Sequence, residues 1–238
     1  MDNLHIKLDP ANKEVIVREG QAPAVYEYKG FQYNLDSVPS IIELINWKGS
    51  QLNSVIFVDE KQVHVILDDT VQNRTKDTGT CVFKESLEFQ EWRRVLGNFL
   101  NQKDFLDFLK RRPDGEIEII DSLKAAVQIF KVNCQITGEF NHDDSNNVQV
   151  MFKMGEIESS IRLPKMFLVQ MPLIYGSDTI MDMEVELEFT VPKAENEKPT
   201  FRLTIPKFQR YWQEAIKAEL AKLKEALPGH LILDGRSK

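Results

Sequence analysis

The side chains best suited to chemistry in this chain are few and scattered. Its four histidines are His5, His64, His142 and His230. His142 opens the run His142-Asp143-Asp144, which has the look of part of a metal site, but the surrounding "NHDDSNN" has the composition of a polar turn, whose Asn, Asp and Ser side chains bond their own backbone. A metal phosphohydrolase would need further histidines at helical spacing, and the sequence does not provide them. His64 and Asp68 are expected on one face of a strand, with Asp69 following, and carboxylates at a strand end can hold a divalent ion for nuclease chemistry. The partner carboxylate and lysine of such a site are not evident on a neighbouring strand. No GxxxxGK[ST], GxGxxG or GxSxG pattern occurs, no CxxC pair exists, and neither Cys81 nor Cys134 stands in a recognisable nucleophile context. No catalytic, cofactor-binding or metal-binding residue is therefore assigned.

The second chemical candidate is the stretch from Glu88 to Glu116, "EFQEWRRVLGNFLNQKDFLDFLKRRPDGE". It sets Trp92, Phe99, Phe105 and Phe108 among Arg93, Arg94, Lys110, Arg111 and Arg112. Aromatic and basic residues together can grip single-stranded nucleic acid, provided the rings are exposed beside the charges. The spacing argues otherwise. Phe89, Trp92, Leu96 and Phe99 fall on one helix face, and Phe105, Phe108 and Leu109 share a face of a second helix. Ser86 is the expected cap of the first helix and Asn101 of the second, with Asp104 favouring its start. The aromatics are expected in the core. Arg93 and Arg94 are expected on a solvated face, and Lys110, Arg111 and Arg112 at a helix C-terminus, where cations complement the dipole. Should the chain touch nucleic acid, these five and Lys207 and Arg210 would be the contacts.

Around these candidates the elements alternate in blocks. The first 35 residues read as short strands, with "EVIVREG" and "AVYEYKGFQYNL" as hairpin pieces. A helix comes next, capped by Ser37, carrying Pro39 in its first turn and ended by Gly49, with Ile41, Ile42, Leu44 and Ile45 as its stripe. "SVIFVDEKQVHVILDD" reads as a hairpin, residues 70 to 79 as a surface loop, and "TCVFKES" as a strand. A helix is expected from about Glu118 to Phe130. Thereafter strands dominate. In "TIMDMEVELEFTV", Met181, Met183, Val185, Leu187 and Phe189 point one way and Asp182, Glu184, Glu186 and Glu188 the other, so that strand has one wet face. "KPTFRLTIP" pairs back on it. The last element is an amphipathic helix along Phe208, Trp212, Ala215, Ile216, Glu219, Leu220, Leu223 and Leu227, with Glu219 its one polar exception and Pro228-Gly229 its stop. The expectation is an α+β fold of antiparallel sheets with segregated helices and a C-terminal amphipathic helix. A change of character near residue 130 divides a mixed 1–130 part from a strand-rich 131–238 part, which can share one compact domain.

The composition is that of a folded domain: 42% of the 238 residues are hydrophobic, and they are spread along the whole chain. The net charge of −7 confines any nucleic-acid contact to a local patch. Two reduced thiols at Cys81 and Cys134 are expected rather than a disulfide. The N-terminus lacks the basic region and apolar run of a signal peptide. The most apolar stretch, "MFLVQMPLIY", is broken by Gln170 and Pro172 and falls well short of the roughly 20 residues of a spanning helix. A cytoplasmic protein without a membrane contact is expected.

The block order resembles one family. "SVPSIIELIN", "VIFVDEKQVHVILDD", "FQEWRRVLGNFLNQKDFLDFL", "IIDSLKAAVQIF", "LPKMFLVQMPLI" and "IPKFQRYWQEAIKAEL", from about Phe31 to Leu227, are similar to the YfdQ-like phage and prophage proteins, a domain of unknown function. The resemblance implies a phage gene product in a bacterial cytoplasm and supplies no catalytic residue. With no catalytic motif to set against it, the expected function is non-enzymatic: binding or assembly directed at a host protein, a nucleotide signal or copies of itself. Two alternatives stand beside it, an accessory factor in phage DNA replication or recombination and a metal-dependent nuclease or hydrolase resting on Asp68, Asp69 and His142. A homo-oligomer is expected, with an interface in the strand-rich half. Met166, Leu168, Met171 and Leu173 place apolar residues on both faces of one strand, and Tyr211 sits on the flank of the closing helix when Trp212 faces the core.

Overall fold

The computed structural model describes residues 29–70, 76–129, 140–142, 147–154, 157–190 and 199–236; between residues 140 and 162 it is the backbone that is described. The chain begins with β1 (Gln32–Leu35) and α1 (Val38–Lys48). Ser37 caps α1 by accepting from Ser40 N at 3.4 Å, and Gly49 N closes it on Ile45 O at 2.7 Å. Val38, Ile41, Leu44 and Ile45 are its buried stripe, with Ile42 half-buried. The hairpin of β2 (Val55–Val58) and β3 (Gln62–Ile66) turns at Asp59, whose Oδ1 accepts from Lys61 N at 2.6 Å and Gln62 N at 2.9 Å. This is the self-bonding turn chemistry of an Asx residue. After β4 (Thr78–Val82) come α2 (Leu87–Arg93), β5 (Phe99–Asn101), α3 (Gln102–Lys110) and α4 (Ile120–Ile129). Ser86 caps α2 through Phe89 N at 3.0 Å, and Asn101 caps α3 through Asp104 N at 2.9 Å. The later half holds β6 (Phe140–His142), β7 (Asn147–Met154), β8 (Ile157–Pro164), β9 (Met166–Pro172), β10 (Ile180–Thr190), β11 (Thr200–Thr204), α5 (Phe208–Ala226) and β12 (Leu231–Asp234).

Among the described residues the strands form three sheets, ordered β1-β4-β3-β2-β12, β5-β11-β10-β9 and β6-β7-β8. The fold is α+β, as the block pattern leads one to expect. The second and third sheets are antiparallel throughout; the first is mixed, because β1 lies parallel to β4 and β12 parallel to β2. In β10 the apolar residues face inward and the acids outward, as the alternation predicts. One apolar cluster runs from Val38 through Leu227, joining residues of the 1–130 and 131–238 parts. Backbone bonds stitch the same seam: Ser86 N to Leu173 O and Gln170 N to Glu116 O, both at 2.8 Å.

Four expectations need correction. The helix expected to run to Phe99 stops at Arg93. Gly97, at φ 78°, reverses the chain, its N–H donates to Leu203 O at 2.8 Å, and Phe99 enters β5 opposite Arg202. Phe99 is therefore 62% exposed, with the Arg202 guanidinium 5.4 Å from its ring centre, and is not core. Arg112, expected as a cation at a helix C-terminus, does follow the end of α3 but is buried there. Within "MFLVQMPLIY", Met171 and Leu173 are core while Met166 and Leu168 face out, 38% and 40% exposed, so the segment is covered on one side only. Asp68 lies beyond the end of β3 at Ile66 and does not share a strand face with His64. The strand β12, finally, has no counterpart among the expected elements. The hairpin pieces within residues 1–28, the loop at 71–75, the Asp143-Asp144 pair and Cys134 lie outside the described residues.

Candidate binding surface

Most of the aromatic residues of the Glu88–Glu116 stretch are core, and Phe99 is the exception. Phe89, Trp92 and Phe105 are fully buried and Phe108 nearly so. Trp92 meets Phe108 edge-on at 5.0 Å, Phe89 stacks on Phe208 at 4.8 Å, and Phe105 stacks on Phe201 at 4.8 Å. None of these rings is available to a base. The cations do gather, since Arg93 lies 4.6 Å over the Phe208 ring at the start of α5, near Lys207 and Arg210 in sequence. They are matched by acids, however. Arg93 bonds Glu85, Lys207 bonds Glu184 at 2.6 Å, and Arg210 bonds Glu214 at 2.8 Å. Arg111 Nε donates to Asp107 O at 3.0 Å, while Arg94 and Lys110 are exposed.

Arg112 has a different role. Its guanidinium lies 4.7 Å over the Phe108 ring and contacts both Glu91 and Glu116, the latter at 3.5 Å. Glu116 is itself buried and accepts from Trp92 Nε1. Burial raises the Glu116 carboxyl above its usual range, and the hydrogen bond from Arg112 lowers that of the half-exposed Glu91. The network locks α2 to the end of α3. A second buried acid, Glu219 on α5, accepts from Ser177 Oγ at 2.7 Å, Thr179 Oγ1 at 3.3 Å and Lys222 Nζ at 2.9 Å, pinning the loop before β10 to the helix. In the sequence Glu219 stands out only as a polar exception on an apolar face; its hydroxyl partners are 42 and 40 residues upstream, beyond any local signal.

Among the described residues no group of three or more His, Cys, Asp or Glu is arranged to hold a metal ion. His64 Nδ1 pairs with Thr80 Oγ1 at 2.8 Å across the sheet, Asp68 Oδ1 accepts from Thr70 N at 3.1 Å, and Asp69 bonds Lys76. His142 ends β6. Cys81 is buried in β4, and burial pushes its thiol up to about 11. The Tyr211 hydroxyl accepts from Glu184 N at 3.3 Å, continuing the edge of β10 past the end of β11. No helix among the described residues is long and apolar enough to cross a membrane.

What remains is a surface. In the five-stranded sheet Ile56, Val58, Val63, Val65 and Cys81 are buried in the core. The strand registers align the opposite face in two rungs: Leu231, Val55, Ile66, Thr78 and Gln32, then Leu233, Phe57, His64, Thr80 and Asn34. No residue of either rung is buried. The face is graded, apolar on β12 and β2 and polar on β4 and β1. Strand β2 reads "VIFV", apolar at every position, which is the pattern of a strand covered on both faces. Among the described residues it is covered on one. Apolar patches of this kind mark interaction sites more often than they occur by accident. Leu231 and Leu233 are 51% and 39% exposed at the patch's rim.

Comparison with known proteins places no relative beside this arrangement: no family model, no curated protein and no solved structure matches the chain.

Proposed function

We propose that this chain is a non-enzymatic binding and assembly protein, and that its working surface is the open face of the five-stranded sheet, with a second copy of the chain as its first partner. The supporting observation is the double rung of ten side chains, apolar on β12 and β2, of which none is buried. A phage setting in a bacterial cytoplasm belongs to this proposal and rests on the block-order resemblance. The nucleic-acid alternative draws less support, because three of its four aromatics, Trp92, Phe105 and Phe108, are in the core, with Phe99 alone exposed, and four of its seven cations are held by acids.

The test is Phe57→Lys, which puts an ammonium in the apolar half of the second rung, between Leu233 and His64, without touching the core. Light scattering at micromolar concentration should give an assembled wild type and a variant whose assembly is weakened, with a circular dichroism spectrum that shows the variant folded. A variant that assembles as the wild type does would rule out this face as the interface. Turnover of DNA, RNA or nucleotides with Mg²⁺ or Mn²⁺ that is lost in Asp68→Ala would overturn the non-enzymatic reading.

A further inference from the structure

The edge of β12 that no described strand pairs gives the assembly a specific geometry, one that rests on the self-association proposed above. Strand β12 is the last in its sheet, paired with β2 on one side and with no described strand on the other. Gly235 N donates to Val58 O at 2.8 Å, so the backbone N–H of Gly235 faces β2. Strand residues alternate the side to which N–H and C=O point. Leu231 and Leu233 therefore also bond toward β2, and Ile232 and Asp234 present their N–H and C=O groups to the open edge. An edge of this kind is a template for another strand.

We infer that two copies join antiparallel through β12 about a two-fold axis at Leu233. This register matches every outward group: Ile232 of one copy exchanges both bonds with Asp234 of the other, and the reverse, while the two Leu233 residues form the non-hydrogen-bonded pair between them. No like charges oppose each other, since each Asp234 faces an Ile232. An axis at Asp234 would set carboxylate against carboxylate, and an axis at Ile232 would need pairing beyond Leu231, where β12 starts. The side chain of Leu233 lies on the open face beside Phe57, so the axis also brings the apolar halves of the two faces edge to edge. The strand is only four residues long, so the ladder is short and the dimer is one that dilution separates.

The experiment is disulfide trapping. In an antiparallel non-hydrogen-bonded pair the Cα atoms stand about 4.5 Å apart, within the span a disulfide accepts. Leu233→Cys, at an exposed position, should convert most of the protein to a covalent dimer under oxidised glutathione. Ile232→Cys should not, and the wild type treated in parallel accounts for Cys81 and Cys134. As a second variant, Leu233→Lys opposes two ammonium groups on the axis and should return the mass to 27.6 kDa. If the wild type is a dimer but Leu233→Cys stays uncrosslinked, or Ile232→Cys crosslinks instead, this interface is wrong while self-association stands. A wild type that is monomeric at every concentration overturns both.

Discussion

Arg112 separates two accounts of the basic stretch more sharply than any other residue. If it were a phosphate contact, Arg112→Ala would weaken nucleic-acid binding and leave stability alone. In the structure its side chain is 3% exposed, between Glu91 and the buried Glu116, over the Phe108 ring. Removing it strands Glu116, and breaking a buried pair by deleting one partner costs about 3–5 kcal/mol. The loss of the cation–π contact, up to about 2 kcal/mol when desolvated, falls within that range. Glu91 adds little, because water reaches it. The stranded carboxyl has one escape, which is to take up a proton. Its carboxyl is already raised by burial, and without the arginine it rises further. A carboxyl with a folded-state pKa above its unfolded value destabilises the fold above that folded pKa and ceases to do so below the unfolded one. The deficit of Arg112→Ala should thus be largest at neutral pH and shrink on acidification, by up to about 1.4 kcal/mol per pH unit. Urea unfolding of wild type and variant at pH 7.5, 6.5 and 5.5 reads this directly. Arg112→Met combined with Glu116→Gln, which leaves an acceptor for Trp92, should recover most of the loss. A deficit below about 1 kcal/mol, or one that does not change with pH, would refute the buried-network reasoning.

Trp92→Ala should cost about 3–5 kcal/mol as a buried aromatic truncation, while Phe99→Ala, at an exposed ring, should stay within about 1 kcal/mol; equal melting temperatures for the two variants would undo the assignment. Gly176 sits at φ 70°, with the position of an added Cβ 2.7 Å from Ser37 Cβ. Gly176→Ala should therefore lower stability by at least about 1–2 kcal/mol, read as a shift in the urea midpoint, and an unchanged midpoint would show that the loop gives way freely. Burial holds His64 below its usual pKa of 6.5, so the unfolded chain binds the proton more readily. Its contribution to stability is present above about pH 6.5 and falls as the pH drops toward the folded-state value. Between pH 7.5 and 5.5 the wild type should lose more stability than His64→Gln, and parallel curves would contradict this.

Much of the fold is legible where a local rule and a long-range demand agree. Ser37 and Pro39 at the start of α1, Asn101 at the start of α3, and the strict alternation in β10 each need only neighbours within a few residues, and each is found as read. The failures share a cause. Phe99 has the spacing of a helix face, but the glycine two positions earlier and a backbone bond to Leu203 divert the chain. Arg112 has the composition of a C-terminal cation, yet its buried partner Glu116 is held in place by Trp92, 24 positions upstream of that carboxylate. Four residues after a Pro-Gly stop carry too little pattern to announce β12, whose pairing with β2 spans most of the chain. The open face is hidden for the same reason. "VIFV" says that a strand wants cover on both sides, and only the register across five strands shows that one side lacks it among the described residues.

We propose that this chain works by occupying a partner, beginning with itself, through the side of the first sheet that no described residue covers. A dilution series of the wild type by multi-angle light scattering tests it most directly. Self-association through this sheet predicts a mass approaching twice 27.6 kDa at tens of micromolar, falling toward 27.6 kDa as the protein is diluted. A mass of 27.6 kDa at every concentration would contradict it.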